Sequence, residues 1–133
     1  MLSVDVLIAT DANYLSNLIN NMLCQKGYNV CGFAKSRGDL LELYNTLVPE
    51  IVVLDLSLDG MKTSTESFNF IKYLLNFDNN MIIIAIGDDI TDEFRKSILD
   101  YGVKAYLCKP FQPASLWERI ERIQTSGRRL NNH

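Results

Sequence analysis

Three charged side chains each close a short apolar run. Asp11 follows the run at 4–10 (VDVLIAT), Asp55 closes the run at 51–54 (IVVL), and Lys109 follows 104–108 (KAYLC). Apolar, β-branched runs of this length read as buried strands. A carboxylate at the end of such a strand is aimed at a fixed point. It can act as a nucleophile or as a ligand for a hard cation. An ammonium group beside it can neutralise an anionic reactant. Each residue alone also has a plainer reading: Asp55 as a turn former, Asp11 as an N-cap meeting unpaired helix amides, Lys109 as a surface lysine. The single histidine is His133, the last residue, which argues against a histidine-based catalytic or metal site. Cys24, Cys31 and Cys108 are odd in number and widely spaced, which fits reduced thiols better than a disulfide frame or a zinc site.

The intervening segments must position these groups. Leu15, Leu18, Ile19, Met22 and Leu23 recur at helical spacing before Gly27, and 28–34 (YNVCGFA) reads as a second strand. Leu40, Leu43, Tyr44 and Leu47 share one face of a helix over 36–47. The polar stretch 56–65 is a loop, and Phe68, Ile71, Leu74 and Leu75 mark a third helix. The run MIIIAI at 81–86 is a fourth strand. Thr91, with Asp92 and Glu93 behind it, opens a helix that carries Phe94, Ile98 and Tyr101 inward and stops at Gly102. Pro113 suits the first turn of a last helix with Leu116, Ile120 and Ile123 inward and Trp117 packed along it.

Strand and helix thus alternate five times. The expected fold class is α/β: a doubly wound, five-stranded parallel sheet with helices on both faces. With 133 residues, one domain is expected, over 1–125, with 126–133 as a polar tail or linker stub. Net charge is −3, and Arg128-Arg129 is too short for a basic stripe, so direct nucleic-acid binding is not expected. The apolar runs are too short to span a bilayer and the start has no basic n-region, so the expected compartment is the cytoplasm, with no membrane partner.

In open parallel sheets, sites form outside the carboxyl ends of the strands, where the strand order switches. If the first, third and fifth strands meet there, Asp11, Asp55 and Lys109 converge. That convergence, with the segment YGVKAYLCKPF at 101–111, resembles the receiver domain of two-component response regulators over nearly the whole chain. The resemblance implies a CheY-like (flavodoxin-like) fold with strand order 2-1-3-4-5. It implies that Asp55 is a phosphoacceptor served by a sensor histidine kinase or phosphotransfer protein. It further implies Mg2+ held by Asp11, Asp55 and the main-chain carbonyl of Ser57, with Lys109 pairing the phosphoryl group. Gly87 and Tyr106 fall at the switch positions, Lys109-Pro110 matches a cis-peptide turn, and the output is read by a partner, a downstream output domain or a homodimer. The chain would then be a switch and not a turnover enzyme. The physics agrees. Two carboxylates about 5 Å apart repel by roughly 3 kcal/mol at an effective dielectric near 20, and a hard divalent cation relieves that repulsion.

Three departures from the family pattern stand out. Thr10 replaces the first of two adjacent acids, which predicts Mg2+ affinity weaker by about 1–2 kcal/mol. Gly87 replaces the hydroxyl residue that would bind the phosphoryl group and draw in Tyr106. Asp59-Gly60 stands where a proline is usual. Thr10 and Gly87 motivate the alternative function, a phosphorylation-independent pseudo-receiver that serves as an interaction module. A haloacid-dehalogenase-type phosphatase fits less well, because Ser57 stands where its second acid belongs and Lys109 follows the acidic stretch 88–93 instead of preceding it. In a flavodoxin-type cofactor protein the first loop would need free amides where Asp11 stands.

Overall fold

The computed structural model describes residues 4–131, with side chains to 126; His133 lies outside the described residues. The elements are β1 (Asp5–Ala9), α1 (Asn13–Gln25), β2 (Asn29–Ala34), α2 (Arg37–Leu47) and β3 (Ile51–Asp55), then α3 (Ser64–Phe77), β4 (Ile83–Gly87), α4 (Asp92–Tyr101), β5 (Ala105–Cys108) and α5 (Pro113–Asn131). All strand pairs are parallel, in the order β2-β1-β3-β4-β5. The expected five-stranded doubly wound sheet is therefore the observed one.

Strand side chains alternate between the two faces of the sheet. Leu7, Val52, Leu54, Ile83 and Ala85 join one core with Leu40 of α2, Ile71 and Leu74 of α3 and Ile98 of α4. Val6, Ile8, Ile51, Val53, Ile84 and Ile86 join the other with Leu15 and Ile19 of α1 and Leu116 and Ile120 of α5. Strands β3 and β4 are buried at every position, which explains why they are apolar up to Asp55 and Gly87.

Local chemistry sets several boundaries. Ser36, Thr63 and Thr91 cap α2, α3 and α4, each accepting a backbone N–H with its side chain. The N-cap of α1 is Ala12, which makes no side-chain cap, so Asp11 is not the N-cap. Leu18 and Tyr101, expected inward, are 46% and 40% exposed, whereas Phe70 is buried. The stretch after β3 is not a plain polar loop. Leu56, Leu58 and Met61 are buried, with a 3-10 turn at Leu58–Gly60 and α3 already open at Ser64. Helix α5 continues through Asn131.

Candidate functional site

The parallel register brings chain ends together at one edge of the sheet. Ala9 pairs Leu54, Asp55 pairs Ile86, and Gly87 pairs Cys108. Backbone hydrogen bonds carry the ladder past the strands: Leu56 N–H donates to the Ile86 carbonyl at 2.8 Å and Lys109 N–H to the Gly87 carbonyl at 2.9 Å. The Lys109-Pro110 peptide is cis. Thr10, Asp55 and Lys109 therefore meet.

Asp55 is 2% exposed. Its Oδ1 accepts the Ser57 N–H at 2.9 Å and the Lys109 ammonium at 2.9 Å, and its Oδ2 accepts the Thr10 hydroxyl at 2.7 Å. Burial pushes the Asp55 carboxyl up, but the Ser57 amide, the Thr10 hydroxyl and the Lys109 ammonium outweigh it and hold the group below the ordinary aspartate value. A charge-assisted bond on each oxygen holds the anion in place. Lys109 Nζ also reaches Ser57 Oγ at 3.4 Å, so the cation spans the mouth of the site.

Among the described residues, Asp11 makes no hydrogen bond to Asp55 or Lys109. It is exposed, and its Oδ2 accepts the Asp59 N–H at 3.1 Å. Asp59 sits in the left-handed region (φ 61°) and its own carboxylate accepts from the backbone and side chain of Arg37. Thr10, not Asp11, is the residue of the first loop that touches Asp55. From sequence Thr10 registers only as a missing acid. The signal that locates it is the register, which sets residue 10 beside residue 55.

At the end of β4, Gly87 and Tyr106 are interlocked. A Cβ at Gly87 would lie 2.8 Å from Tyr106 Oη and 3.2 Å from Tyr106 Cε1, so the tyrosine ring fills the space a side chain would need. Tyr106 is buried, packs edge-on against Phe94 at 5.5 Å and donates its hydroxyl to the Asp89 carbonyl at 2.8 Å. Burial, with Cys108 and Asp89 nearby, pushes its hydroxyl pKa up. The Asp89 side chain accepts the hydroxyls of Ser64 and Thr91, which ties the loop after β4 to the start of α3 and holds that carboxyl below its ordinary value. The acidic stretch at 88–93 is thus a structural turn and helix start.

The family model for the response regulator receiver domain matches residues 6–121. The chain belongs to this family. The receiver is similar to the chemotaxis protein CheY of Thermotoga maritima, 27% identical over 118 residues, covering 89% of this chain and 95% of that one. It is also similar to CheY of Treponema pallidum, 28% identical over 120 residues, covering 89% and 81%. In fold it resembles the isolated REC domain of RcsB from Salmonella enterica serovar Typhimurium in the presence of phosphomimetic BeF3−, with TM-score 0.81, 22% identity and coverage of 93% and 90%. It likewise resembles the CheX-CheY-BeF3−-Mg2+ complex from Borrelia burgdorferi, with TM-score 0.78, 21% identity and coverage of 90% and 88%. At these identities the two structures speak to the fold alone.

The family implies Mg2+, and the donors present fit it. Asp11, Asp55 and the Ser57 carbonyl offer only hard oxygens. Mg2+ is commonly held by one or two carboxylates and completes its shell with water and phosphate oxygens. Each donor already accepts a hydrogen bond, the Ser57 carbonyl from Gly60 N–H at 3.1 Å, yet each retains lone-pair capacity. Among the described residues no group of three or more histidine, cysteine or acidic side chains stands together, so this set relies on its two carboxylates.

Proposed function

We propose that this receiver domain accepts a phosphoryl group on Asp55 from a phosphohistidine on a sensor histidine kinase or phosphotransfer protein. A carboxylate oxygen of Asp55 forms the new bond to phosphorus as the bond from phosphorus to the donor's imidazole nitrogen breaks, giving an acyl phosphate. The ion pair between buried Asp55 and partly buried Lys109 carries this reading. A buried carboxylate costs several kcal/mol unless it is paired, and here the pairing cation sits beside the nucleophile, where the arriving negative charge will be. The Ser57 amide and Thr10 hydroxyl orient the carboxylate. Asp11, Asp55 and the Ser57 carbonyl would hold Mg2+, which supplies further positive charge against the phosphoryl oxygens.

In this reading the output is a rearrangement around Gly87, α4 and Tyr106, read by a partner, an output domain or a second copy. The chain is a phosphoacceptor and not a turnover enzyme. No helix among the described residues is long and apolar enough to cross a membrane, and we place the receiver in the cytoplasm. The pseudo-receiver alternative rests on Thr10 and Gly87; the ion pair between buried Asp55 and partly buried Lys109 favours the phosphoacceptor.

The test is intact mass after incubation with Mg2+ and a small acyl-phosphate donor, beside Asp55→Asn. A gain of one phosphoryl group in the parent alone supports the proposal. No gain in the parent, or equal gain in both, refutes Asp55 as the acceptor.

A further inference from the structure

The Thr10 hydroxyl is fixed from two sides. Its oxygen accepts the Ala12 N–H at 3.1 Å, and its proton goes to Asp55 Oδ2 at 2.7 Å. The residue is 1% exposed, so no solvent competes for either bond. It extends β1, whose last residue pairs Leu54 and whose chain continues through the Thr10 N–H bond to the Ala34 carbonyl at 3.0 Å. The hydroxyl therefore commits its one proton to Asp55 and a lone pair to the Ala12 amide, and it cannot turn that proton away from Oδ2 without giving up the bond to the carboxylate. It presents a proton where a metal ligand would present an electron pair.

The other carboxylate oxygen, Oδ1, is committed to Ser57 N–H and Lys109. Oδ2, with its single partner, is left as the oxygen with the most room for a cation. We infer that the Thr10 hydroxyl competes with a divalent cation for Asp55 Oδ2, so that Thr10 weakens Mg2+ binding as a hydrogen-bond donor and not merely as an absent negative charge. This rests on the reading of Asp55 as a metal ligand. A cation on Oδ2 withdraws electron density and weakens a hydrogen bond to the same oxygen. Such a bond, made to a charged group, belongs to the stronger class. The metal must offset what the bond contributes to the metal-free state.

The two explanations part at a neutral, shape-conserving substitution. Thr10→Val removes the donor and adds no charge. Competition predicts Mg2+ binding about tenfold tighter than the parent, equivalent to about 1.4 kcal/mol. Absence of charge alone predicts no change. Thr10→Ser keeps the donor and should bind like the parent. Thr10→Ala gives the same contrast as valine should the latter fold poorly.

The experiment titrates MgCl2 alone, without phosphodonor, into each variant and follows the Ser57 backbone amide by nuclear magnetic resonance. Asp55→Asn runs in parallel. Tighter binding by Thr10→Val or Thr10→Ala, with Thr10→Ser parent-like, is the expected result. Equal or weaker binding in both donor-free variants, with Asp55→Asn abolishing the response, overturns competition and leaves the metal reading intact. A parental response that survives Asp55→Asn overturns the metal reading and this inference with it.

Discussion

Gly87→Ala tests how tightly Gly87 and Tyr106 are packed. The backbone at Gly87 lies outside the left-handed region, which is occupied by Gly27, Gly60 and Gly102, so an alanine there meets no conformational strain. It meets Tyr106 instead. The added Cβ would stand 2.8 Å from Oη, 3.2 Å from Cε1 and 3.3 Å from Leu56 Cδ1. The ring cannot simply slide, because its hydroxyl is anchored on the Asp89 carbonyl and its edge on Phe94. Overpacking of this kind costs about 1–3 kcal/mol. Replacing glycine offsets roughly 0.4–1 kcal/mol of it by narrowing the unfolded ensemble. The net loss should be about 1–2 kcal/mol, a fall in Tm of roughly 3–10 °C for a domain of this size. Thermal unfolding by circular dichroism measures it. In the double variant Gly87→Ala with Tyr106→Ala the clash disappears, so the two losses should fall short of additive by at least about 0.5 kcal/mol. A Gly87→Ala protein that melts at or above the parent temperature, or losses that simply add, would refute the interlock.

Lys109→Met leaves Asp55 with Thr10 and Ser57 as its remaining donors; stability at neutral pH should fall by about 1–3 kcal/mol by urea unfolding, below the full cost of breaking a buried pair because those donors stay, and phosphoryl uptake by intact mass should drop. The Asp55 carboxyl is held below its ordinary value of 3.8, so its stabilising contribution is complete above that pH and is lost as pH falls toward the lower folded value. The stability difference between the parent and Asp55→Asn should therefore stay flat from neutral pH down to about 5 and shift against the parent below the ordinary aspartate value; a difference that changes between pH 7 and 5 would contradict the low value. Trp117 donates its indole N–H to the Met22 carbonyl at 2.7 Å, tying α5 to the far end of α1. Trp117→Phe keeps a ring but not the bond, and should cost about 1 kcal/mol in urea unfolding with phosphoryl uptake unchanged.

Much of the fold could be read from the sequence because its signals are local. The apolar, isoleucine-rich run at 83–86, bounded by turn residues, reads as a strand covered on both faces, and Thr91 caps its helix by chemistry that spans three residues; the caps at Ser36 and Thr63 emerge only in the structure. Leu18 and Tyr101 were legible as helical but not as exposed, since helical spacing marks a face without saying what covers its margin. The site splits the same way. Asp55 and Lys109 announce themselves at strand ends and are found paired. Thr10 does not, because its importance lies in a contact across 45 residues that only the parallel register creates. Gly87 reads as a lost hydroxyl, whereas its place in the fold is the room it leaves for Tyr106.

The central claim is that Asp55 itself carries the phosphoryl group. An acyl phosphate is reduced by borohydride, which converts the modified aspartate to homoserine. Borohydride treatment after exposure to Mg2+ and a phosphohistidine or small acyl-phosphate donor, followed by peptide mass mapping, locates the group. The account predicts homoserine at position 55 and nowhere else. Homoserine at Asp11, Asp59 or another acid, or none at all in a folded parent protein, would contradict it.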